Sequence, residues 1–129
     1  MTAGNASTLN DGACAMVLMT SQYATDNGVA PMAKVLGFGD AALEPAKFTV
    51  APAAAVPVAL KNAGLSLADV DLWELNEAFS VVALANVRMM GLDPAKVNVD
   101  GGAVAMGHPI GMSGARIVTH LVHRSEKSY

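Results

Sequence analysis

Gly101 to Arg116 reads GGAVAMGHPIGMSGAR, five glycines and a single His-Pro step set between two apolar segments. Proline pushes its predecessor toward extended geometry, so His108 belongs to loop backbone and not to a helix interior. Gly107 and Gly111 allow backbone conformations closed to other residues. The run from Gly111 to Gly114 then opens a helix whose free N–H groups favour developing negative charge. Two readings follow: an imidazole presented beside an oxyanion site, or a glycine-rich turn in which His108 packs or caps. Phosphate loops fit poorly, because the GK[ST] ending is missing and GHPIGMSG does not match GxGxxG.

Upstream of this loop, short apolar runs alternate with helical patterns. Ala13 to Met19, Lys34 to Gly39, Asp71 to Leu75 and Val97 to Val99 have the length and composition of strands. Helices are expected over Ser21 to Asn27, from Pro57 to a stop at Gly64, over Glu77 to Met90 closed by Gly91, and over Ser113 to Glu126. This alternation indicates an α/β layer architecture. No internal repeat or low-complexity tract divides the 129 residues, which form one expected domain, 1–129.

Asn76 stands between the strand-like DLWEL and the helix-forming EAFSVV. It is either the N-cap of that helix or a side-chain amide at the carboxyl end of a strand, where α/β proteins place ligands. His120 and His123 share the last helix without a third ligand in view, which makes a metal site improbable and solvated histidines near a helix C-terminus the simpler expectation. Cys14 lies in the apolar run ACAMVLM and reads as a buried small hydrophobe.

Composition removes several function classes. The chain is 53% hydrophobic and 15% charged, and its eight Lys and Arg are scattered among eleven acids for a net charge of -3. That balance offers no basic face for nucleic acid. Pro52, Pro57, Arg88 and Gly91 interrupt every apolar run short of the roughly 18 to 20 residues that a membrane helix needs. MTAGNASTLN carries neither a secretory nor a transit pattern, and one cysteine rules out a disulfide framework within the chain.

Three blocks, GNASTLNDGA (Gly4 to Ala13), NEAF (Asn76 to Phe79) and NVDGGAVAMGHPIGMSGAR (Asn98 to Arg116), resemble in that order the C-terminal domain of thiolases, up to about His123. The resemblance is strongest to the mitochondrial type that acts on acetoacetyl-CoA. It implies the C-terminal half of the thiolase-like fold, a layered α/β arrangement with a mixed sheet, here without the last strands. It also implies an acyltransferase that joins two acetyl-CoA into acetoacetyl-CoA plus CoA, and the reverse thiolysis.

Carried over residue by residue, the resemblance assigns His108 to activating a nucleophilic cysteine and donating to the thioester oxygen, and Asn76 to holding a water that completes the oxyanion site. Ser7, with Ala3 beside it, takes the place of the pantetheine contact, and Phe79 and Ile110 fall in the acyl pocket. Gly107 and Gly111 shape the loop. In the mitochondrial type a potassium ion sits on backbone carbonyls that correspond to Ala3, Gly4, Ala6 and Val104. No other cofactor is implied. The expected partners are acetyl-CoA, acetoacetyl-CoA and CoA, in a homodimer or homotetramer of the full-length protein, with no nucleic acid and no membrane. The compartment is mitochondrial by resemblance, with the cytoplasm as alternative.

The family's chemistry uses two cysteines, one in an N-terminal domain and one in a CxGGG motif, and this sequence contains neither; Cys14 occupies a structural strand position. The expectation is therefore an enzyme fragment that is inactive alone. A non-catalytic CoA-binding or subunit-docking chain, and a longer-chain 3-ketoacyl-CoA thiolase, are the alternatives. Unpaired sheet edges and an uncovered apolar face are expected to accompany the missing strands.

Overall fold

The computed structural model describes residues 1–126; Lys127 to Tyr129 lie outside the described residues. Helices dominate. They are α1 (Ser21–Asp26), α2 (Ala51–Ala63), α3 (Ser80–Met90), α4 (Ala103–Met106) and α5 (Ile110–Glu126), joined by 3-10 turns at Ala3–Asn5, Pro45–Val50, Leu67–Asp69 and Pro94–Lys96.

Among the described residues the four expected strands do not form a continuous ladder. Ala13 to Met19 and Lys34 to Gly39 run without a partner strand. The other two are reduced to a parallel bridge between Trp73 and Val97, which complements an antiparallel bridge between Ala6 and Phe79. Strand formation requires a partner for each backbone N–H and C=O, and the apolar pattern supplies only the tendency. Where a partner is present, the pairing forms: Trp73 donates to the Lys96 carbonyl at 2.9 Å and accepts from Asn98 at 2.9 Å.

Helix starts differ from the sequence reading for identifiable reasons. α2 begins six residues before Pro57, at Ala51, with Pro52 in its first turn. Asn86 of α3 reaches across and accepts from the Ala53 N–H at 2.9 Å, satisfying one of the first orphan donors of α2. Pro57 thus sits inside the helix, about one turn past Ala53, which anchors its start. α3 starts at Ser80 and not at Glu77, because Phe79 is extended (φ -140, ψ 151). α5 starts at Ile110 and not at Ser113, directly after the His-Pro step. Both α2 and α3 stop where glycine was expected to stop them, Gly64 and Gly91 taking left-handed φ of 71° and 65°.

The core is small. α3 packs on α2 and on the Pro45–Val50 turn, and Phe48 meets Phe79 edge-on with ring centroids 6.1 Å apart. Ala24, Leu75, Val82 and Ala103 are the buried apolar residues, joined by buried Asn86 and Ser113. Outside it, Leu9, Val17, Leu18, Val35 and Phe38 are exposed, so the two partnerless segments present apolar side chains as well as backbone outside any ladder. No described helix is long and apolar enough to cross a membrane.

Candidate active site

Three separate stretches of chain meet at His108. Its backbone N–H donates to the Thr8 carbonyl at 2.9 Å, and the Ser7 N–H donates to the Ala78 carbonyl at 3.1 Å. The N-terminal loop therefore ties the His108 loop to the segment that follows Asn76. Gly107 makes this possible: its φ is 93°, and a Cβ there would run into the Asn10 side chain.

The imidazole is held at both nitrogens. Asn76 Nδ2 lies 3.3 Å from Nε2, and Ser113 Oγ lies 2.6 Å from Nδ1. Ser113 Oγ spends its proton on the Pro109 carbonyl, 3.0 Å away, so toward the ring it accepts. The amide nitrogen of Asn76 is donor only. Both contacts are satisfied by one tautomer, with the proton on Nδ1 and a lone pair on Nε2. The Nε2 lone pair faces the Asn76 amide.

Asn76 is not an N-cap. α3 begins four residues later, and the backbone from Asn76 to Phe79 is extended or turned. Its Oδ1 is buried without a hydrogen-bond partner, a state that costs free energy unless a ligand or water completes it. The N-cap reading therefore fails, and the segment ahead of Asn76 is no full strand, pairing only at Trp73.

The remaining assigned residues divide. Ser7 Oγ donates to the Ala78 carbonyl at 3.0 Å, which leaves its lone pairs to accept. Ala3 and Gly4 are exposed in the first turn, and Ala6 bridges to Phe79. Ile110 is exposed and borders an open cavity of about 470 Å³ together with Asn10 to Cys14, Pro109, Gly111 and Met112. Phe79 does not border that cavity; its ring is engaged with Phe48. Gly111 lies in the first turn of α5, and an added Cβ would meet open space there, so its role is not steric.

Sequence reading missed three residues of this constellation. Ser113 sets the tautomer of His108. Glu77 and Asn98 brace the backbone on either side of the site. The available signals were a hydroxyl five positions after the histidine, and an asparagine ahead of Asp-Gly-Gly, where a left-handed turn residue is favoured. Two expectations need correction. Cys14 is half-buried outside any strand, with Sγ 3.2 Å from Thr119 Oγ1 of α5. His120 is not solvated: Nδ1 lies 2.8 Å from Oε1 of the buried Glu74 and Nε2 lies 3.0 Å from Asp100 Oδ2. No group of three or more metal-ligating side chains occurs among the described residues.

Comparison with known proteins identifies the family of this fold. The family model described as "Thiolase, C-terminal domain" matches residues 29–128. Mitochondrial acetyl-CoA acetyltransferase of Bos taurus is 62% identical over 123 residues, 95% of this chain and 29% of the relative. The A form from Xenopus laevis is 58% identical over 127 residues, 98% of this chain and 30% of the relative. The chain thus spans under a third of the length of these relatives. Among solved structures, acetyl-CoA acetyltransferase of Bacillus anthracis superposes with a TM-score of 0.94 at 43% identity, covering 98% of this chain and 32% of that one. A thiolase from Ascaris suum in complex with coenzyme A gives 0.85 at 48% identity, with 95% and 32% covered. With the fold and the matched domain in agreement, this chain belongs to the thiolase family and carries its C-terminal domain.

Proposed function

We propose that this chain supplies the histidine and asparagine half of a thiolase active site, which exchanges acetyl groups between CoA thioesters: two acetyl-CoA to acetoacetyl-CoA plus CoA, and the reverse thiolysis. The observation that carries this reading is the 3.3 Å contact between Asn76 Nδ2 and an Nε2 whose lone pair is fixed by Ser113.

In that tautomer Nε2 takes the proton of a cysteine thiol provided by another segment, leaving a thiolate to attack the acetyl carbonyl. The Asn76 N–H yields Nε2 for this step; the new Nε2–H then donates to the thioester oxygen as negative charge develops on it, and collapse to the acyl-cysteine breaks the C–S bond and releases CoA as thiolate. Asn76, through the buried Oδ1 that has no protein partner, holds the water that donates alongside. Ser7 and Ala3 lie on the CoA side of this arrangement. Ile110 has its side chain available for an acyl group, whereas Phe79 is turned to Phe48. Residues 1–129 act as one C-terminal domain in a mitochondrial homodimer or homotetramer.

A potassium ion at the carbonyls of Ala3, Gly4, Ala6 and Val104 belongs to the same proposal. In a continuing α4 the His108 N–H would bond to Val104; it turns to Thr8 instead, so the Val104 carbonyl loses its helical donor. Such an ion would stiffen the loop that carries Ser7. Thiolysis rates in potassium and in sodium at equal ionic strength test it.

The decisive experiment is a chimaera in which residues of this chain replace the matched 123-residue stretch of the Bos taurus relative. Acetoacetyl-CoA thiolysis is expected from the chimaera and none from the isolated chain. His108→Ala is expected to lower kcat at least about 100-fold, the usual loss for a preorganised oxyanion donor. Unchanged turnover in that variant refutes the reading.

A further inference from the structure

The neighbours of Asn76 are held by one side chain. Asn98 Oδ1 accepts from the Leu75 N–H at 2.8 Å, and its Nδ2 donates to the Leu75 carbonyl at 3.0 Å and to Glu77 Oε1 at 2.9 Å. The amide thus replaces a strand partner on one side of Asn76 and grips the carboxylate on the other. Among described residues Asn98 is the only one other than glycine with positive φ, at 48°. That conformation is disfavoured for most side chains and persists where the surroundings over-determine it. Here three hydrogen bonds do so.

Glu77 extends the brace to His108. Its second oxygen, Oε2, accepts from the Val104 N–H in the first turn of α4 at 3.1 Å. Gly102 leaves the room, because a Cβ there would collide with the Glu77 carboxylate. α4 runs directly into Gly107, whose N–H donates to the Ala103 carbonyl at 2.8 Å, and Gly107 hands the chain to His108. One carboxylate therefore connects the segment bearing Asn76 to the helix that delivers His108.

We infer that Glu77 and Asn98 are positioning residues that set the separation of Asn76 and His108, and through it the rate of the acyl-transfer step. The inference rests on the function proposed above. Neither residue touches substrate in this geometry; both act through the backbone on either side of Asn76. A misplacement of about 1 Å at reacting groups costs on the order of 100-fold in rate, whereas binding of CoA, which depends on other contacts, is spared.

Two readouts test it. In the 129-residue chain, imidazole 15N shifts of His108 and the side-chain amide resonances of Asn76 report their contact without any turnover. In the chimaera, kcat and KM are measured separately. Asn98→Gly, which keeps the left-handed backbone but deletes the side chain, is expected to shift both sets of resonances and lower kcat about tenfold or more with KM within about twofold. Glu77→Ala is expected to do the same and Glu77→Gln to recover part of the loss. Asn86→Ala, which loosens α2 and α3 away from the site, is the control for simple destabilisation and leaves kcat per folded molecule unchanged. Unaltered resonances and kcat in both Asn98→Gly and Glu77→Ala overturn the inference. If His108→Ala leaves turnover intact, the proposed function fails, while the resonances still judge the brace.

Discussion

His108 Nδ1 and Ser113 Oγ stand 2.6 Å apart, and Ser113 is 2% exposed. The serine lies in the first turn of α5, so the helix start and the tautomer of the imidazole are one structural decision. Removing the hydroxyl in Ser113→Ala strands a part-buried ring N–H, which costs about 1 to 3 kcal/mol. The ring then keeps its proton on Nδ1 only through the 3.3 Å contact of the Asn76 amide at Nε2. We expect the 15N spectrum of His108 to show a mixture of tautomers, and kcat of the chimaera to fall about tenfold or more, in line with the typical range for proton transfer by a positioned group. A single unchanged tautomer would remove Ser113 from the site.

A second buried polar residue, Asn86, governs stability and not chemistry. It is fully buried, and its amide donates to the Thr49 carbonyl at 2.8 Å and the Val82 carbonyl at 2.7 Å while accepting from Ala53. In Asn86→Ala the Ala53 N–H and Thr49 carbonyl lose their partner at the junction of the Pro45–Val50 turn and α2. Each stranded group costs about 1 to 3 kcal/mol. Urea unfolding of the chimaera is expected to lose at least about 2 kcal/mol, with Asn86→Asp worse, since a carboxylate oxygen would then face two carbonyls. A loss below about 0.5 kcal/mol would contradict this role.

How far the sequence reveals this site depends on which physical cause fixes each residue. The GHP step and Gly107 are legible because proline and positive φ restrict backbone locally, and His108 lies on a loop at a helix start; Gly111, expected to need the same freedom, is helical and has no positive φ. Helix stops at Gly64 and Gly91 are legible for the same reason. Asn76 was left between two roles because an N-cap and a strand-end amide look identical until the start of α3 is known. The start of α2 was missed because it is set by Asn86, 33 residues beyond Ala53. Strand patterns in Ala13 to Met19 and Lys34 to Gly39 were legible as patterns, but pairing is a property of two segments and neither has a partner among the described residues.

His120 links two acidic groups that periodicity could not pair with it. Glu74 is 2% exposed at its side chain, and among the described residues the ion pairs it makes are with His120 and, at 4.0 Å, with Arg116. His120→Ala leaves a buried carboxylate leaning on that long contact. The expected loss is about 2 to 3 kcal/mol, less than the roughly 3 to 5 kcal/mol for a charge stripped of every partner. Glu74→Gln added to His120→Ala is expected to return part of it, a coupling that a double-mutant cycle measures. Simple additivity of the two losses would show that the pair does not interact.

Asp69 gives a pH dependence of known sign. The Ser66 hydroxyl donates to its Oδ2 at 2.7 Å and the Ser66 N–H to the same oxygen at 2.8 Å. These bonds, the hydroxyl first, hold the carboxyl below its ordinary value of 3.8. A depressed folded value means that the folded state binds its proton less readily than the unfolded chain does. The contribution to stability is therefore complete above the ordinary value and is lost as pH falls through the folded one. Carboxyl 13C titration of Asp69 should show a midpoint below 3.8, and Ser66→Ala should raise it. The residue is fully solvent-exposed, so screening keeps the effect on the melting temperature small at neutral pH. The short Leu67–Asp69 turn is expected to loosen first as acid is added. An Asp69 midpoint at or above the ordinary value in the unsubstituted chain would show that the Ser66 bonds do not persist in solution.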